Sequence, residues 1–279
     1  QTNTANDFLC QKQYVVVENE EPIDCWAPSA HGYLTLTGAL EKSCNPAFMQ
    51  LGQRIGIKRM YKYFEAYGLF DKVGTDIARV EKSIFYDEKA VGPIELATMS
   101  FGQRFSISPL QLITAVSAIA NDGVLVQPQI VSSMTNTDTG EVTTFETQEV
   151  RQVISKETAD TIASMMESVV TNGTGYRVKK DIEGMSQYSV GGKTGTSEPI
   201  HGSKTDGYIA SFLAISPVEN TKIALLVILD SPGGKLHNGG EIAAPTAGNM
   251  LKEILPYLNV ETGNKDDGSN SNISDRDLY

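Results

Sequence analysis

Hydrophobic residues in the first half of the chain recur at helical spacing, between residues that favour helix starts and stops. Pro46 interrupts the first stretch near a helix start, and Pro93 and Pro109 stand at the start of two more. Asn121-Asp122-Gly123 ends the last of them. Residues 32–120 are therefore predicted to be mainly helical. The first stretch has its apolar side chains at Leu40, Phe48, Met49, Leu51 and Ile55.

Shorter apolar segments in the second half are typical of strands. Residues 124–150 read as short β pieces, with a hairpin turn at 138–140. Ser155 is a predicted N-cap for a helix that runs to about Thr171. A closing helix is predicted to start near Pro245. The segments between these two helices that predict strands are 189–196, 208–215 and 222–229.

The order of helices, adjacent strands and a terminal helix predicts an α+β fold, in which an antiparallel sheet is covered by helices. We expect one body over residues 1–258. Residues 259–279 are polar, acidic and rich in Gly, Asn, Ser and Asp, so they are predicted to be a disordered tail.

Composition excludes some classes of function. The 279 residues are 40% hydrophobic and 20% charged, as in a globular protein, and the net charge is −11 without a basic block. Nucleic acid is therefore not an expected partner. The longest apolar run, residues 223–229, is too short to cross a bilayer. The chain opens at Gln1 without Met, so we expect a piece of a longer protein. The lack of an apolar span in this piece therefore does not argue against a membrane anchor in the intact protein.

The sequence contains three cysteines, Cys10, Cys25 and Cys44, and does not determine whether two of them form a disulfide. Cys10 and Cys25 flank a short polar segment that would form a hairpin closed by a disulfide, or they are two unpaired thiols. A zinc site with Cys10, Cys25 and His31 is disfavoured, because the spacings match no common ligand pattern. The histidines lie in polar or Gly-rich segments, and no metal or cofactor is expected.

Gly192-Lys193-Thr194 first suggests a phosphate-binding loop, but the surrounding residues do not fit one. That motif requires Gly at position 187, where Gln stands. It also places Lys-Thr at the start of a helix, whereas Gly195 and Pro199 follow here. The other candidate is a Lys-Thr-Gly strand beside an acyl-transfer site, which needs a Ser-x-Asn element upstream. Ser43-Cys44-Asn45 supplies that element in the expected order.

Both motifs sit in longer segments that resemble class B penicillin-binding proteins, with the sporulation type nearest and the division type close behind. The resemblance covers about residues 35–258 and implies the transpeptidase domain and its β-lactamase/transpeptidase-like fold. It is carried by Ser-Cys-Asn-Pro-Ala-Phe at 43–48, Gly-Gln at 102–103, Ser-Ile-Ser-Pro-Leu-Gln at 106–111, Gly-Gly-Lys-Thr-Gly-Thr-Ser at 191–197, Ser-Phe at 211–212 ahead of Pro217, and Asp-Ser-Pro at 230–232.

The resemblance also implies roles for the second motif. Lys193 would place a cation near the substrate carboxylate and the reacting hydroxyls. Thr194 and Thr196 would donate hydroxyl hydrogen bonds to that carboxylate, and the backbone N–H of Thr196 would serve the oxyanion hole. Gly195 would let an extended substrate lie along the strand edge.

In the first motif, Ser43 would relay a proton to the leaving nitrogen and Asn45 would hold the amide carbonyl of the substrate. Cys44 is interpreted as a small buried hydrophobic residue, not a nucleophile. Taken singly, Ser43 is more often a helix cap and Lys193 an exposed strand charge. The joint presence and order of the motifs favour the functional interpretation.

The family nucleophile, the serine of a Ser-x-x-Lys motif upstream of Ser-x-Asn, is missing. No lysine of this chain has Ser three positions before it. The expected explanation is truncation just inside the domain, which leaves the fold incomplete at its N-terminus and the fragment inactive. A degenerate, non-catalytic homologue is the alternative.

For the intact protein the resemblance implies a serine peptidoglycan D,D-transpeptidase. Its substrates would be stem peptides ending in D-Ala-D-Ala, and β-lactams, which mimic that terminus, would acylate it. It would be membrane-anchored and act on the outer face of the bacterial cytoplasmic membrane, with other wall-synthesis proteins as possible partners. The alternatives are a β-lactamase or β-lactam sensor of the same fold, or a non-catalytic scaffold.

Overall fold

The computed structural model describes residues 7–71, 74–76, 82–197 and 207–263. The strands are β1 Phe8–Cys10, β2 Gln13–Tyr14, β3 Ile23–Asp24, β4 Gly32–Leu34, β5 Val124–Val126, β6 Ser133–Thr135, β7 Val142–Thr144, β8 Glu149–Gln152, β9 Gly191–Ser197, β10 Ile209–Ser216 and β11 Ile223–Asp230. The α-helices are α1 Leu36–Glu41, α2 Asn45–Ile55, α3 Ile57–Ala66, α4 Pro93–Ser100, α5 Pro109–Ala120, α6 Lys156–Asn172, α7 Arg177–Lys180 and α8 Ala244–Tyr257.

The helices begin where the sequence supplies caps. The Ser108 hydroxyl accepts a hydrogen bond from the backbone N–H of Gln111, and Pro109 takes the first helical position of α5. At the start of α6 the Ser155 hydroxyl accepts a hydrogen bond from the backbone N–H of Thr158. The predicted helices starting near Pro93, Pro109, Ser155 and Pro245 are thereby confirmed.

A three-stranded antiparallel sheet forms the centre of the second half. Its order is β11-β10-β9, so β10 lies in the middle and hydrogen-bonds along its whole length to β11. Leu213 pairs with Lys193 of β9, and Phe212 pairs with Thr194. This register puts Lys193 and Thr194 on opposite faces of the sheet, because side chains alternate along a strand.

Helices cover both faces of this sheet, as predicted. On one face Phe212, Ala214 and Val227 pack with residues of α7 and α8, including the fully buried Leu251 and Leu255. The opposite face buries its side chains, with Leu213 and Ile215 among them, under α5 and α6. The chain is thus an α+β fold with the sheet between two helical layers.

Residues 8–34 form small paired strands against α1 and α2. β1 pairs with β4, and β2 pairs with β3 to make the hairpin predicted between Cys10 and Cys25. Apolar side chains from these strands and the two helices form a cluster of their own, with Phe8, Leu34 and Ala47 buried in it. This packing fixes the turn between α1 and α2.

Two predictions on the periphery have different outcomes. β6 and β7 form the hairpin predicted around residues 138–140. At the C-terminus, residues 259–263 lie against the body, since Val260 packs on the core and the Gly263 N–H donates to the Gln187 carbonyl at 2.9 Å. The rest of the predicted tail, 264–279, lies outside the described residues. None of the described helices has the length and apolar character needed to cross a membrane.

Candidate active site

Ser43 occupies the turn between α1 and α2 in a conformation that serine seldom adopts. Its φ is +47°, in the left-handed region, where non-glycine residues are strained. The indole N–H of Trp26 donates to the carbonyls of Lys42 and Ser43, at 3.0 and 3.1 Å. These two hydrogen bonds hold the strained turn from outside it.

Asn45 and Cys44 continue this turn into α2. Asn45 is the first residue of the helix, and its side-chain amide donates to the Asp24 carbonyl at 3.2 Å. Cys44 is the N-cap residue and is completely buried. The prediction that Cys44 is a buried residue beside the site is therefore confirmed.

Lys193, at the centre of β9, reaches from the sheet to the Ser43 turn. Its ammonium group donates to the Ser43 hydroxyl and to the Thr194 carbonyl, the latter at 3.0 Å. Burial lowers the pKa of Lys193 from 10.5 to about 8, because the charged form loses hydration. The structure thus joins the two motifs, 150 residues apart in sequence, in one hydrogen bond.

Thr194 and Thr196 lie on the other face of β9, where both hydroxyls have partners. The Thr194 and Thr174 hydroxyls are 2.8 Å apart. The Thr196 hydroxyl accepts a hydrogen bond from the Gly239 N–H at 3.0 Å, so its own proton stays available for a ligand. Thr196 is exposed, as its predicted substrate-binding role requires.

Gly195 lies between these threonines on a strand that is paired on one side. Among the described strands β9 pairs only with β10. A side chain at Gly195 would meet the Ser211 hydroxyl. The other edge of β9 offers backbone N–H and C=O groups to an extended peptide, which could add as a further strand.

The three cysteines come together with His31 just behind the Ser43 turn. All three thiols are buried, and none of them is in a disulfide in this structure. The disulfide between Cys10 and Cys25 stays a prediction. A hydrogen bond from the Cys44 thiol lowers the pKa of Cys25 below its usual range, with a further contribution from His31. His31 is in a loop, as expected, but it is half-buried and not on the open surface. His201, also expected in a loop, lies outside the described residues.

Sequence reasoning missed several residues that hold the site. Trp26, Thr174 and Gly239 contact the motif residues from distant parts of the chain. Trp26 is the only tryptophan and is adjacent to Cys25, and these two facts are the only sequence signals that point to it. Thr174 and Gly239 belong to no recognisable pattern and are brought in by the tertiary fold.

The family model described as "Penicillin binding protein transpeptidase domain" matches residues 1–252. The chain belongs to the penicillin-binding protein transpeptidase family. Both motifs at the site, Ser43-Cys44-Asn45 and Lys193-Thr194-Gly195, fall inside the matched region. The class B resemblance of the sequence is confirmed by the relatives of this transpeptidase domain.

Two curated relatives of this transpeptidase domain come from the sporulation and division types. Stage V sporulation protein D of Bacillus subtilis is 35% identical over 262 residues, which are 93% of this chain and 40% of the relative. Peptidoglycan D,D-transpeptidase FtsI of Escherichia coli is 27% identical over 241 residues, which are 84% of this chain and 38% of the relative. The chain thus spans about two fifths of the length of these relatives.

Solved transpeptidase domains share the fold. The apo domain of penicillin-binding protein 3 from Burkholderia pseudomallei is 30% identical and has a TM-score of 0.75, with 93% of this chain and 74% of that chain covered. Penicillin-binding protein 3 from Mycobacterium tuberculosis, solved in complex with aztreonam, is 26% identical and has a TM-score of 0.78, with coverage of 92% and 58%. The fold class predicted from the sequence is confirmed.

Proposed function

We propose that the intact protein is a serine peptidoglycan D,D-transpeptidase and that this chain supplies the substrate-holding half of its active site. The observation that carries the proposal is the hydrogen bond between Lys193 and Ser43, which joins the strand motif to the Ser-x-Asn turn. Family membership supports the reaction class. Peptide stems ending in D-Ala-D-Ala would be the donor substrate and β-lactams the covalent inhibitors.

In the proposed reaction a serine hydroxyl attacks the carbonyl of the penultimate D-Ala. The bond to the terminal D-Ala breaks, its nitrogen takes up a proton, and the peptide stays on the serine as an ester. An amine of a second stem then attacks that ester, which forms the cross-link and regenerates the serine. In the proposed geometry Ser43 passes the proton to the leaving nitrogen, and Lys193 favours the arrangement by its charge.

Asn45, Thr194 and Thr196 are proposed to hold the substrate. Asn45 begins α2 beside Ser43, and its amide would bind the amide carbonyl of the donor peptide. Thr196 keeps a free proton on its exposed hydroxyl and would donate it to the terminal carboxylate. Thr194 shares its hydrogen bond with Thr174, so its part would be to position the strand beside that carboxylate.

We propose further that the acylating serine lies outside the 279 residues. None of the lysines in the chain follows a serine by three positions, so no segment here offers the Ser-x-x-Lys nucleophile and base. The chain alone would then be inactive. By the same proposal the intact enzyme works on the outer face of the bacterial cytoplasmic membrane, in wall synthesis during sporulation or division.

Fluorescent penicillin tests the proposal on two proteins, the 279-residue chain and the same chain extended at its N-terminus by the preceding coding sequence. We expect stable covalent labelling of the extended protein and none of the 279-residue chain. Ser43→Ala and Lys193→Met in the extended protein should slow labelling at least about 100-fold, a typical loss for a group that stabilises the transition state. Ser29→Ala, an exposed loop change, should label like wild type.

Four other results would point elsewhere. Labelling of the 279-residue chain would show that a nucleophile is present in it. Absence of labelling in the extended protein would favour a non-catalytic scaffold. Rapid loss of the label by hydrolysis would favour a β-lactamase, whereas a stable label without transpeptidation of a peptide substrate would favour a β-lactam sensor.

A further inference from the structure

Four side chains that bind metals well converge beside the Ser43 turn. Cys10 ends β1, Cys25 follows β3, His31 precedes β4, and Cys44 is the N-cap of α2. One sulfur or ring nitrogen atom from each lies within 4.8 Å of all the others. Across the described ranges no other group of three or more His, Cys, Asp or Glu side chains comes together in this way.

The spacing of these atoms is close to that of a tetrahedral zinc site. With zinc–sulfur bonds of about 2.3 Å and zinc–nitrogen bonds of about 2.0 Å, tetrahedral angles place sulfur about 3.5 Å from nitrogen and about 3.8 Å from sulfur. The Cys25 sulfur and the His31 Nδ1 are 3.7 Å apart. The widest separation, at most 4.8 Å, requires the four groups to close by only about 1 Å.

Burial adds an independent argument. Cys10, Cys25 and Cys44 are 1%, 1% and 0% exposed, so solvent water does not hydrogen-bond to their sulfur atoms. The Nδ1 atom of His31 faces the Cys25 sulfur and is the ring nitrogen placed to bind a metal, while Nε2 is buried without a hydrogen-bond partner and would keep its proton. The three buried thiols and this nitrogen have one another as polar neighbours, and a metal ion bonded to all four would satisfy them together.

We infer that Cys10, Cys25, His31 and Cys44 form a Cys₃His site for one zinc ion. Thiolate and imidazole ligands select zinc over magnesium or calcium, which prefer oxygen. Four protein ligands leave no open position for water or substrate, so the site is structural and not catalytic. On binding, each thiol releases its proton to solvent, and three thiolates with a neutral imidazole leave the complex with one net negative charge.

Lys12 is placed to balance that charge. Its ammonium group donates to the carbonyl of Cys25 at 2.5 Å and to that of Ala27. Both carbonyls belong to the segment that carries the Cys25 ligand. A cation held next to a zinc–thiolate complex of net negative charge stabilises it, and such surrounding hydrogen bonds orient the ligands themselves.

The site would fix the position of the Ser-x-Asn motif. Cys44 is the middle residue of that motif. Cys25 stands between Asp24, whose carbonyl accepts from Asn45, and Trp26, whose indole donates to the Ser43 carbonyl. A zinc ion bonded to both cysteines would therefore clamp the two segments that hold Ser43 and Asn45, which makes its ligands positioning residues.

The sequence disfavoured a zinc site because the intervals between the ligands are long and irregular. Common zinc motifs pair their ligands two to five residues apart, whereas these four come singly from three strand ends and one helix start. Cys44 reads in the sequence as a small core residue and not as a metal ligand. Only the tertiary fold brings it to Cys10, Cys25 and His31, so the inference revises the expectation of no metal.

Metal analysis of the 279-residue chain, purified under reducing conditions and then incubated with zinc and desalted, tests the inference. It needs no acylation, so its outcome is separate from that of the penicillin experiment. We expect about one zinc per chain by elemental analysis and native mass spectrometry. Replacement by cobalt should give thiolate charge-transfer bands in the near ultraviolet and the visible bands of a tetrahedral ion.

His31→Asn and His237→Asn form a matched pair, since His237 lies outside the cluster and stacks on Tyr208. We expect His31→Asn to bind zinc at least about 100-fold more weakly than the wild type. The loss of a residue that only supports a ligand costs about 10- to 100-fold in metal affinity, so a larger loss identifies His31 as a ligand itself. Its cobalt complex should keep the thiolate charge-transfer bands but change the visible bands. His237→Asn should match the wild type in both measurements.

Trp26 gives a readout at the active-site turn that does not depend on how well the variants fold. It is the only tryptophan, and its ring centroid is 6.4 Å from that of His31. Zinc added to the wild-type chain should shift its fluorescence, with saturation at about one equivalent. A chelator should reverse the shift.

Three results would overturn the inference. One is a reduced wild-type chain that binds no zinc. Another is equal zinc affinity in the wild type and His31→Asn. The third is a chain that forms the Cys10–Cys25 disulfide, seen as a loss of two hydrogens in mass spectrometry, even when it is folded with excess zinc.

Discussion

Lys193 carries a charge in a place that is mostly shielded from water. Its ammonium group is surrounded by the Ser43 turn and its own strand, and burial is the cause of its lowered pKa. A lysine that loses its proton near neutral pH is suited to exchange protons with a neighbouring hydroxyl. The same property makes the stability of the chain depend on pH.

Between pH 8 and 10.5, the two pKa values of Lys193 in the folded and unfolded chain, only the unfolded chain keeps the proton. A rise in pH across this window therefore favours the folded state, while below it both states are charged and the cost of burial is present in full. We expect the free energy of unfolding of the wild type to gain on the order of 2 kcal/mol relative to Lys193→Met across the window.

Denaturant unfolding at a series of pH values measures this difference, in which the titration of other groups cancels. Lys222→Met, at an exposed lysine before β11, is the control and should run parallel to the wild type. If the profile of Lys193→Met also runs parallel to that of the wild type, burial does not depress the pKa of Lys193.

The π-helical turn Gly239–Ala243 is the element that supports β9 from the face opposite Lys193. It packs against β9 and β10 so closely that the Gly239 N–H reaches the Thr196 hydroxyl at 3.0 Å. A Cβ at Gly239 would collide with the carbonyl oxygens of Gly195 and Ser211. Glycine is required here by the close approach of two backbones.

Gly239→Ala should push this turn away from the sheet. The overlapping atoms are backbone atoms inside the sheet and cannot rotate away, so we expect a loss of about 1–3 kcal/mol in the free energy of unfolding. In the extended protein, penicillin labelling should also slow, because Thr196 loses the group that orients it. Denaturant unfolding and labelling kinetics measure the two effects.

Gly233→Ala is the matched control, since a Cβ there would meet open space. It should leave both stability and labelling unchanged. A Gly239→Ala protein as stable as the wild type would mean that the turn is free to move off the sheet and does not support β9.

Elements were predictable from the sequence where local chemistry determines them. Pro109 at the first helical position predicted the start of α5, and the alternation of turn residues and apolar runs predicted β10 and β11. The candidate site was predictable only as far as its two motifs. The contacts of Trp26 and Thr174 with the motif residues could not be predicted, because they depend on where distant elements pack.

At the scale of the whole molecule, buried Gln111 joins the helical part to the sheet. It lies on α5, which covers one face of the sheet, and is 1% exposed. Its amide nitrogen donates to the carbonyls of Leu69 and Asp71 at 3.2 and 3.0 Å, beyond the end of α3. Its oxygen accepts from Ser83 at 2.5 Å. One side chain therefore connects three separate segments.

Gln111→Met keeps the volume of the side chain and removes these hydrogen bonds. The Leu69 carbonyl would stay buried without a partner and the Ser83 O–H would lose its acceptor, and each such group costs about 1–3 kcal/mol. The Asp71 carbonyl is only partly buried, and the Ser83 oxygen still accepts from the Ser108 N–H, so these two atoms add less. Partial access of water would reduce the sum, so we expect the free energy of unfolding to fall by about 2–4 kcal/mol. Denaturant unfolding measures this loss.

Hydrogen exchange then distinguishes a local effect from a global one. The amide of Leu69 bonds to the Phe64 carbonyl and should exchange faster in Gln111→Met, together with its neighbours after α3. The amides of β10 are held between two strands, so their exchange rates should change only as far as the global stability changes. Gln148→Met, at an exposed glutamine, should change neither measurement. Unchanged exchange at Leu69 would mean that water replaces Gln111 and that the segments are joined by apolar packing alone.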